Sequence, residues 1–290
     1  MYSRREFGRM AVGTLPLATT RAAVNSVIGG VRIGNMTYSF RDLPLDGAIK
    51  AQVAAGIGDC ELDHGHVERA LGFARDKEGR EKLRAWRLSS ASIDEYRAIR
   101  KQFQDGGLPL WGMIYSVRDD FTEDEIERGF QFARVLGVSV MTGSSTVSVV
   151  SRIAPFAEKY ELPYGVHNHS NVTRPNEFAT PESFTKALAV SKYIGVNFDV
   201  GHYLAAGYDP VDWVQKNHSR ITNIDLCDRK KNQGPQVAWG EGDTPLREVL
   251  LLMKGAKYPF PATIQYEYKG TQDSLSEVKR CLEYCRRILS

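Results

Sequence analysis

The chain has 290 residues, 42% hydrophobic and 25% charged, a composition of globular proteins that can bury a large core without disulfides or a structural metal. No run approaches the roughly 20 apolar residues that a bilayer span requires. The formal charge is +3, but Arg4, Arg5, Arg9 and Arg21 against Glu6 place that whole excess in residues 1–23, so the remainder is close to neutral and offers no support for nucleic-acid binding.

Ser3-Arg4-Arg5-Glu6-Phe7-Gly8-Arg9 reads as a twin-arginine export signal, followed by a weakly apolar stretch over 10–18 and small residues to Ala23. The expectation is a leader over 1–23 and an exported, periplasmic protein. A basic N-terminal arm on a cytoplasmic protein is the alternative, since Pro16 interrupts the apolar stretch and no A-x-A cleavage site stands out.

From residue 31 onward, short β-branched or aromatic runs alternate with helical patterns. Strands are expected over 31–40, 59–64, 108–117, 138–143, 164–169, 194–200, 221–227 and 262–268. Helices are expected over 45–55, 77–104 with a break near 89–92, 122–136, 147–160, 181–191, 209–217, 244–254 and 275–289. Acids open the 122–136 helix, which suits its dipole, and Pro210 stands near the start of the 209–217 helix. Strict alternation predicts a parallel sheet with helical crossovers. Eight such units without a glycine-rich phosphate loop predict closure into a single (β/α)8 TIM barrel over 31–290. The longest loop, about 229–243, follows the seventh strand. Cys60, Cys227, Cys281 and Cys285 form no C-x-x-C or zinc-finger spacing, and Cys60, Cys281 and Cys285 read as plain buried or surface thiols.

In such barrels the chemistry sits at the C-terminal ends of the strands. There the sequence places Glu61, Asp63, His64 and His66; then His167, Asn168, His169 and Ser170; then Asp199 and His202; then Asp225, Cys227, Asp228 and Arg229; and finally Gln265 and Glu267. Of the six histidines only His218 falls elsewhere. Residues two apart on a strand share a face, so His167 with His169, Asp225 with Cys227, and Gln265 with Glu267 can point one way. Imidazole with carboxylate suits Mn, Zn, Co or Fe better than Ca. A divalent ion beside carboxylates can hold vicinal sugar oxygens while a neighbouring base moves a proton. Each residue also has a plainer reading. Asp199 and His202 can be a helix-start cap, and the segment from Glu241 to Pro245 can be a loop leading into a helix.

Glu61-Leu62 with Gly65-His66-Val67-Glu68, His167-Asn168-His169, Asp199-Val200-Gly201-His202 and Gly240-Glu241-Gly242-Asp243 resemble the xylose-isomerase-like barrel superfamily, especially its exported members of the sugar phosphate isomerase/epimerase type. The resemblance runs from Ile33 to the C-terminus. It implies a divalent metal held by one residue from each of the fifth to eighth strands, here His167, Asp199, Asp225 and Gln265. In the epimerases these positions are Glu, Asp, His and Glu, and the two glutamates form the acid/base pair. His167, Asp225 and Gln265 depart from that pattern, Cys227 stands where relatives usually carry a lysine, and Gln265 cannot take a proton at neutral pH. Glu61, His169 or Glu267 would then carry proton transfer, with His66, His202, Asp228, Arg229 and Glu241 as substrate contacts.

The resulting expectation is a metal-dependent isomerase or epimerase acting on a small carbohydrate beside a carbonyl. The alternatives are a lyase or dehydratase on an oxidised sugar, and a degenerate relative that binds a carbohydrate without turnover. A DNA-repair nuclease of the endonuclease IV type is disfavoured by the near-neutral barrel, and pairing into a homodimer is compatible with the superfamily.

Overall fold

The computed structural model describes residues 24–290; the twin-arginine segment lies outside them. In chain order the elements are β1 (Val27–Ile28), β2 (Val31–Met36), α1 (Leu45–Ala55), β3 (Asp59–Asp63), α2 (His64–Ala70), α3 (Lys77–Leu88), α4 (Ser90–Asp105) and β4 (Leu110–Ile114). Then come α5 (Glu123–Leu136), β5 (Val140–Gly143), α6 (Val150–Lys159), β6 (Tyr164–His167), α7 (Pro181–Leu188), β7 (Ile194–Asp199), α8 (Val200–Ala205) and α9 (Pro210–Asn217). The chain closes with β8 (Ile221–Leu226), α10 (Leu246–Ala256), β9 (Ala262–Ile264) and α11 (Ser274–Leu289). Strands β2 to β9 pair in parallel in sequence order, and β9 returns to β2, so the sheet closes as one (β/α)8 TIM barrel. The β1–β2 hairpin is antiparallel and precedes the barrel.

The strand sequences explain what faces each way. Every residue of β7 is buried, but Phe198 points out to stack on Trp213 of α9 at 4.3 Å, while Asn197 lines the barrel mouth. The outer helices bury one stripe each. In α5 that stripe holds Ile126, Phe130 and Ala133, and its start is fixed by a reciprocal cap between Thr122 and Glu125.

Several strands end earlier than their sequence suggests. The first stops at Met36 because Thr37–Phe40 curls into a 3-10 turn, where Ser39 Oγ donates to the Ile264 carbonyl at 3.2 Å and accepts from Tyr266 N at 3.1 Å. The fifth barrel strand stops at His167 and the eighth at Ile264, leaving Asn168, His169, Gln265 and Glu267 on loops. Two short helices follow strand ends: α2, which was not anticipated, and α8, whose start is the cap read at Asp199 and His202. Each starts because the last strand residue is an aspartate that caps it: Asp63 accepts from Gly65 N at 2.9 Å and Asp199 from His202 N at 2.6 Å.

The 229–243 loop is held by one carboxylate. Asp228, 2% exposed, accepts from the backbone N–H groups of Gly240 at 2.8 Å, Gly242 at 2.9 Å and Thr244 at 3.2 Å. A Cβ on Gly242 would lie 1.8 Å from Asp228 Oδ1, so only glycine admits this approach. Asp228→Ala would leave three backbone N–H groups without their acceptor, that of Thr244 buried. It is expected to destabilise the fold by about 3 kcal/mol or more, read as a shift in a urea midpoint; an unchanged midpoint would show that the loop is held elsewhere.

Candidate active site

The barrel mouth holds a cavity of about 440 Å³, within the size range of small-molecule sites. Its walls come from every barrel strand's C-terminal end or the loop that follows, from Met36 and Tyr38 to Gln265 and Glu267. At its floor His167, Asp199 and His202 bring one ligand-type atom each within 4.8 Å of one another. The rings of His167, His169 and His202 meet edge-on, with centroids 5.2 to 5.9 Å apart.

Each imidazole has a distinct partner, and the partner decides what its other nitrogen can do. His167 Nδ1 lies 3.1 Å from Asp225 Oδ2, and Asn223 Nδ2 donates to Asp225 Oδ1 at 2.9 Å. With Nδ1–H on Asp225, Nε2 of His167 is left as a lone-pair donor, the arrangement that orients histidine toward a metal. His169 Nδ1 lies 3.0 Å from Glu177 Oε1, so its Nε2 is an acceptor. His202 Nδ1 instead accepts from the Arg229 guanidinium, which places the proton on Nε2 and makes that face a donor.

Asp199 is fully buried and held on all sides. Its backbone N–H donates to Asn168 Oδ1 at 2.8 Å, its carbonyl accepts from Asn168 Nδ2 at 3.0 Å, and its carboxylate accepts from His202 N and from the Cys227 thiol at 3.1 Å. Cys227 thus contributes a neutral donor to Asp199. Gly201 makes room for it, since a Cβ there would lie 2.5 Å from Cys227 Sγ.

Burial and charge set the protonation states. Burial raises the Asp199 carboxyl to about 7, against the opposing pull of the His167 charge and the His202 N–H. Burial pulls the His167 ring down, but the hydrogen bond and charge of Asp225, with Asp199 behind it, prevail and raise it to about 9. Burial, the His167 charge and Arg118 hold His169 down to about 3, so it stays neutral. Burial and the same kinds of neighbours also lower His202.

Glu61 lies beneath the cavity with no exposed surface. Thr142 Oγ1 donates to its Oε1 at 2.5 Å, reaching past Gly112, whose missing side chain leaves the space. Its Oε2 has no partner among the described residues. Burial, then the charge of Asp225, raise Glu61 to about 8. Between the ordinary carboxyl value of 4.5 and that raised value, the folded chain keeps a proton that the unfolded chain has lost, so stability falls as pH rises. Glu61→Gln has no such proton. In metal-free protein the variant is expected to flatten the decline in unfolding free energy by about 1.4 kcal/mol per pH unit between about pH 5 and 7. Parallel curves for variant and parent would refute the shift.

The residues anticipated from sequence thus divide. His167, Asp199, His202, His169, Asp225, Gln265 and Glu267 converge on or beside the cavity. Asp225, expected as a ligand, has one oxygen 3.1 Å from His167 Nδ1 and the other accepting from Asn223. His66 is buried away from the mouth with Nε2 2.8 Å from the Leu43 carbonyl. Asp228 is consumed by its loop, and Glu241 is exposed on that loop, outside the cavity wall. Arg229 reaches the site only through His202. Tyr38, Arg69, Ser116, Arg118, Ser144 and Asn197 also line the cavity and were not singled out from sequence.

The donor set fits a divalent cation. His167 and the Asp199 carboxylate belong to one cluster, and the same cavity is lined by Gln265, whose Oε1 is a buried acceptor without a hydrogen-bond partner among the described residues. A buried orphan oxygen beside imidazole and carboxylate is satisfied by a cation.

Residues 70–288 match the family described as xylose isomerase-like TIM barrel. An uncharacterized protein of Methanocaldococcus jannaschii is 30% identical over 142 residues, 47% of each chain, so the chain spans about half the length of that curated relative. Among solved structures, a sugar phosphate isomerase/epimerase of Parabacteroides distasonis superposes with TM-score 0.63 at 16% identity, covering 93% of this chain and 99% of that one. A probable 3-DHS dehydratase of Bacillus anthracis gives 0.62 at 14% identity, covering 87% and 98%. An IOLI protein with a bound zinc atom gives 0.64 at 12%, covering 89% and 99%. At these identities the structural likenesses speak to the fold.

Proposed function

The chain belongs to the xylose isomerase-like TIM barrel family, and on that premise we propose that it is a metal-dependent isomerase or epimerase that moves a proton beside the carbonyl of a small carbohydrate. The observation that carries this reading is the cluster of His167, Asp199 and His202 at a cavity whose wall also carries a partnerless Gln265 oxygen and Glu267. His167 Nε2, Asp199 and Gln265 Oε1 would hold the ion. Bound there, it would supply Lewis acidity toward a carbonyl and its neighbouring hydroxyl.

The rest is done by the chain's own groups. Glu267 is the base. Of the three residues considered for proton transfer, it alone offers a carboxylate to the cavity: Glu61 is sealed beneath it and holds its proton, and His169 is too weakly basic. Gln236 Nε2 donates to Glu267 Oε2 at 2.8 Å, which fixes the carboxylate and leaves Oε1 for the substrate proton. His169 accepts from one sugar hydroxyl through Nε2, and His202 donates to another oxygen through its Nε2–H. The pair therefore reads the sugar by opposite hydrogen-bond polarity.

A second reading, binding without turnover, draws on Gln265, where the family's second acid/base glutamate would stand. An epimerase needs proton donors on both faces of the carbon, whereas an isomerase or dehydratase can work with one base. Of the cavity carboxylates, Asp63 is engaged by Arg69 and Asp225 by His167, which leaves Glu267 and favours the one-base reactions. Gln265→Glu is expected to add exchange at the opposite face if an epimerase geometry survives; a variant that binds sugar with no solvent exchange in either form would favour the binding protein.

A further inference from the structure

We propose that the mouth of the barrel contains an anion subsite centred on Arg118, so that the sugar taken by this chain carries a carboxylate or a phosphate group. This rests on the carbohydrate reading above and deepens it. Arg118 stands on the loop after β4 and lines the same cavity as His167 and Glu267. The two residues that follow it, Asp119 and Asp120, are both acids, and neither neutralises it. Asp119 is occupied by hydroxyls, taking Thr146 Oγ1 at 3.1 Å and Ser148 Oγ, and Asp120 pairs with Arg84 at 2.9 Å. The second cavity arginine, Arg69, has its own carboxylate, Asp63, at 3.4 Å. Among the described residues, Arg118 makes no ion pair and no side-chain hydrogen bond.

A cation left without a counter-ion at a cavity wall is available to one brought by a ligand. A guanidinium presents paired N–H donors that match a carboxylate or phosphate in two-point contact. The wall beside it has the right accompaniment. Ser116 and Ser144 line the same sector, where β4 and β5 are paired, and Ser144 N donates to Ser116 Oγ at 3.1 Å, so that hydroxyl is held in place with its own proton free for a ligand oxygen. The anionic substituent would therefore sit over β4 and β5, and the reacting carbon over His167 and Glu267. A two-ended grip of this kind fixes which carbon meets the base.

The experiment uses the full chain loaded with Mn or Zn and measures binding by calorimetry. The probes are D-glucose, D-glucuronate and D-glucose 6-phosphate, with the galacto and manno sets alongside. At least one anionic member of a set is expected to bind about tenfold or more tighter than its neutral parent, and preference for the uronate or for the phosphate tells which group the subsite takes. Arg118→Gln is expected to erase that preference while leaving neutral-sugar affinity within about twofold, and Arg118→Lys to restore part of it. Equal binding of neutral and anionic members, or a preference that survives Arg118→Gln, overturns the subsite. If no sugar binds while the chain still takes up metal in an Asp199-dependent way, the subsite falls and the metal centre stands; if metal uptake also fails, the reading beneath it falls as well.

Discussion

Asp199→Ala is expected to abolish stoichiometric uptake of a divalent ion, while Asp225→Asn weakens it by about 10- to 100-fold and no more. The two aspartates are three-dimensional neighbours across paired strands, Asp199 opposite Asp225, yet their partners give them different tasks. Asp199 brings a carboxylate oxygen into the cluster with His167 and His202. Asp225 spends one oxygen on His167 Nδ1 and the other on Asn223, so its influence on an ion passes through the orientation and basicity of the imidazole. Metal content after gel filtration, with an equilibrium titration of each variant, separates the roles. Equal losses in the two variants would show that Asp225 ligates directly. The protonation states add a second signature. Asp199 near 7 and His167 near 9 hold protons that an ion must displace, so apparent metal affinity should rise steeply from about pH 6 to 8.

Glu267→Gln is expected to lower turnover by about 100- to 10,000-fold, the range of a lost general base, with sugar affinity nearly retained. Glutamine keeps the shape and can still meet Gln236, but it cannot accept the substrate proton. Single-turnover rates with a sugar that the wild-type chain converts, beside calorimetric binding to the variant, measure both quantities. Activity within a few-fold of wild type would move the base elsewhere. The candidates would then be Glu61, reached only if the barrel floor opens, or His169, reached only if its ring becomes more basic than burial beside the His167 charge allows.

The barrel was legible in the sequence because alternation and periodicity are local signals, and the eight runs that carry them all became strands. What the sequence misplaced were strand ends. Asp63 and Asp199 look like strand residues and behave as helix caps, because a carboxylate at a strand terminus can satisfy the orphan N–H groups of the next turn. The plainer reading of Asp199 and His202 as a cap therefore holds together with their place in the cluster; one carboxylate does both.

The site was half legible for a related reason. Histidines are rare and conspicuous, so His167, His169 and His202 stood out, but residue type alone gave His66 the same weight. In the fold His66 turns to the Leu43 carbonyl. Asp228 and Glu241 belonged to a suggestive loop motif, yet three backbone N–H groups claim Asp228 and solvent claims Glu241. Arg118, Ser116 and Ser144 were missed although the strand-end rule covers them, because serines and an arginine between apolar strands and acids carry no distinctive pattern. Their importance appears only when Asp119 and Asp120 are seen to turn to other partners. Asn168 illustrates the same limit. It sits between two histidines, and its two hydrogen bonds to the Asp199 backbone tie β6 to β7 across the floor of the site.

The measurement closest to the central claim is solvent-deuterium incorporation, followed by proton NMR, into a panel of neutral and anionic sugars incubated with the metal-loaded chain. The account predicts exchange at a carbon adjacent to the carbonyl of at least one sugar, lost on chelation and lost in Glu267→Gln. A sugar that binds the loaded chain tightly and acquires no deuterium at any carbon would contradict it.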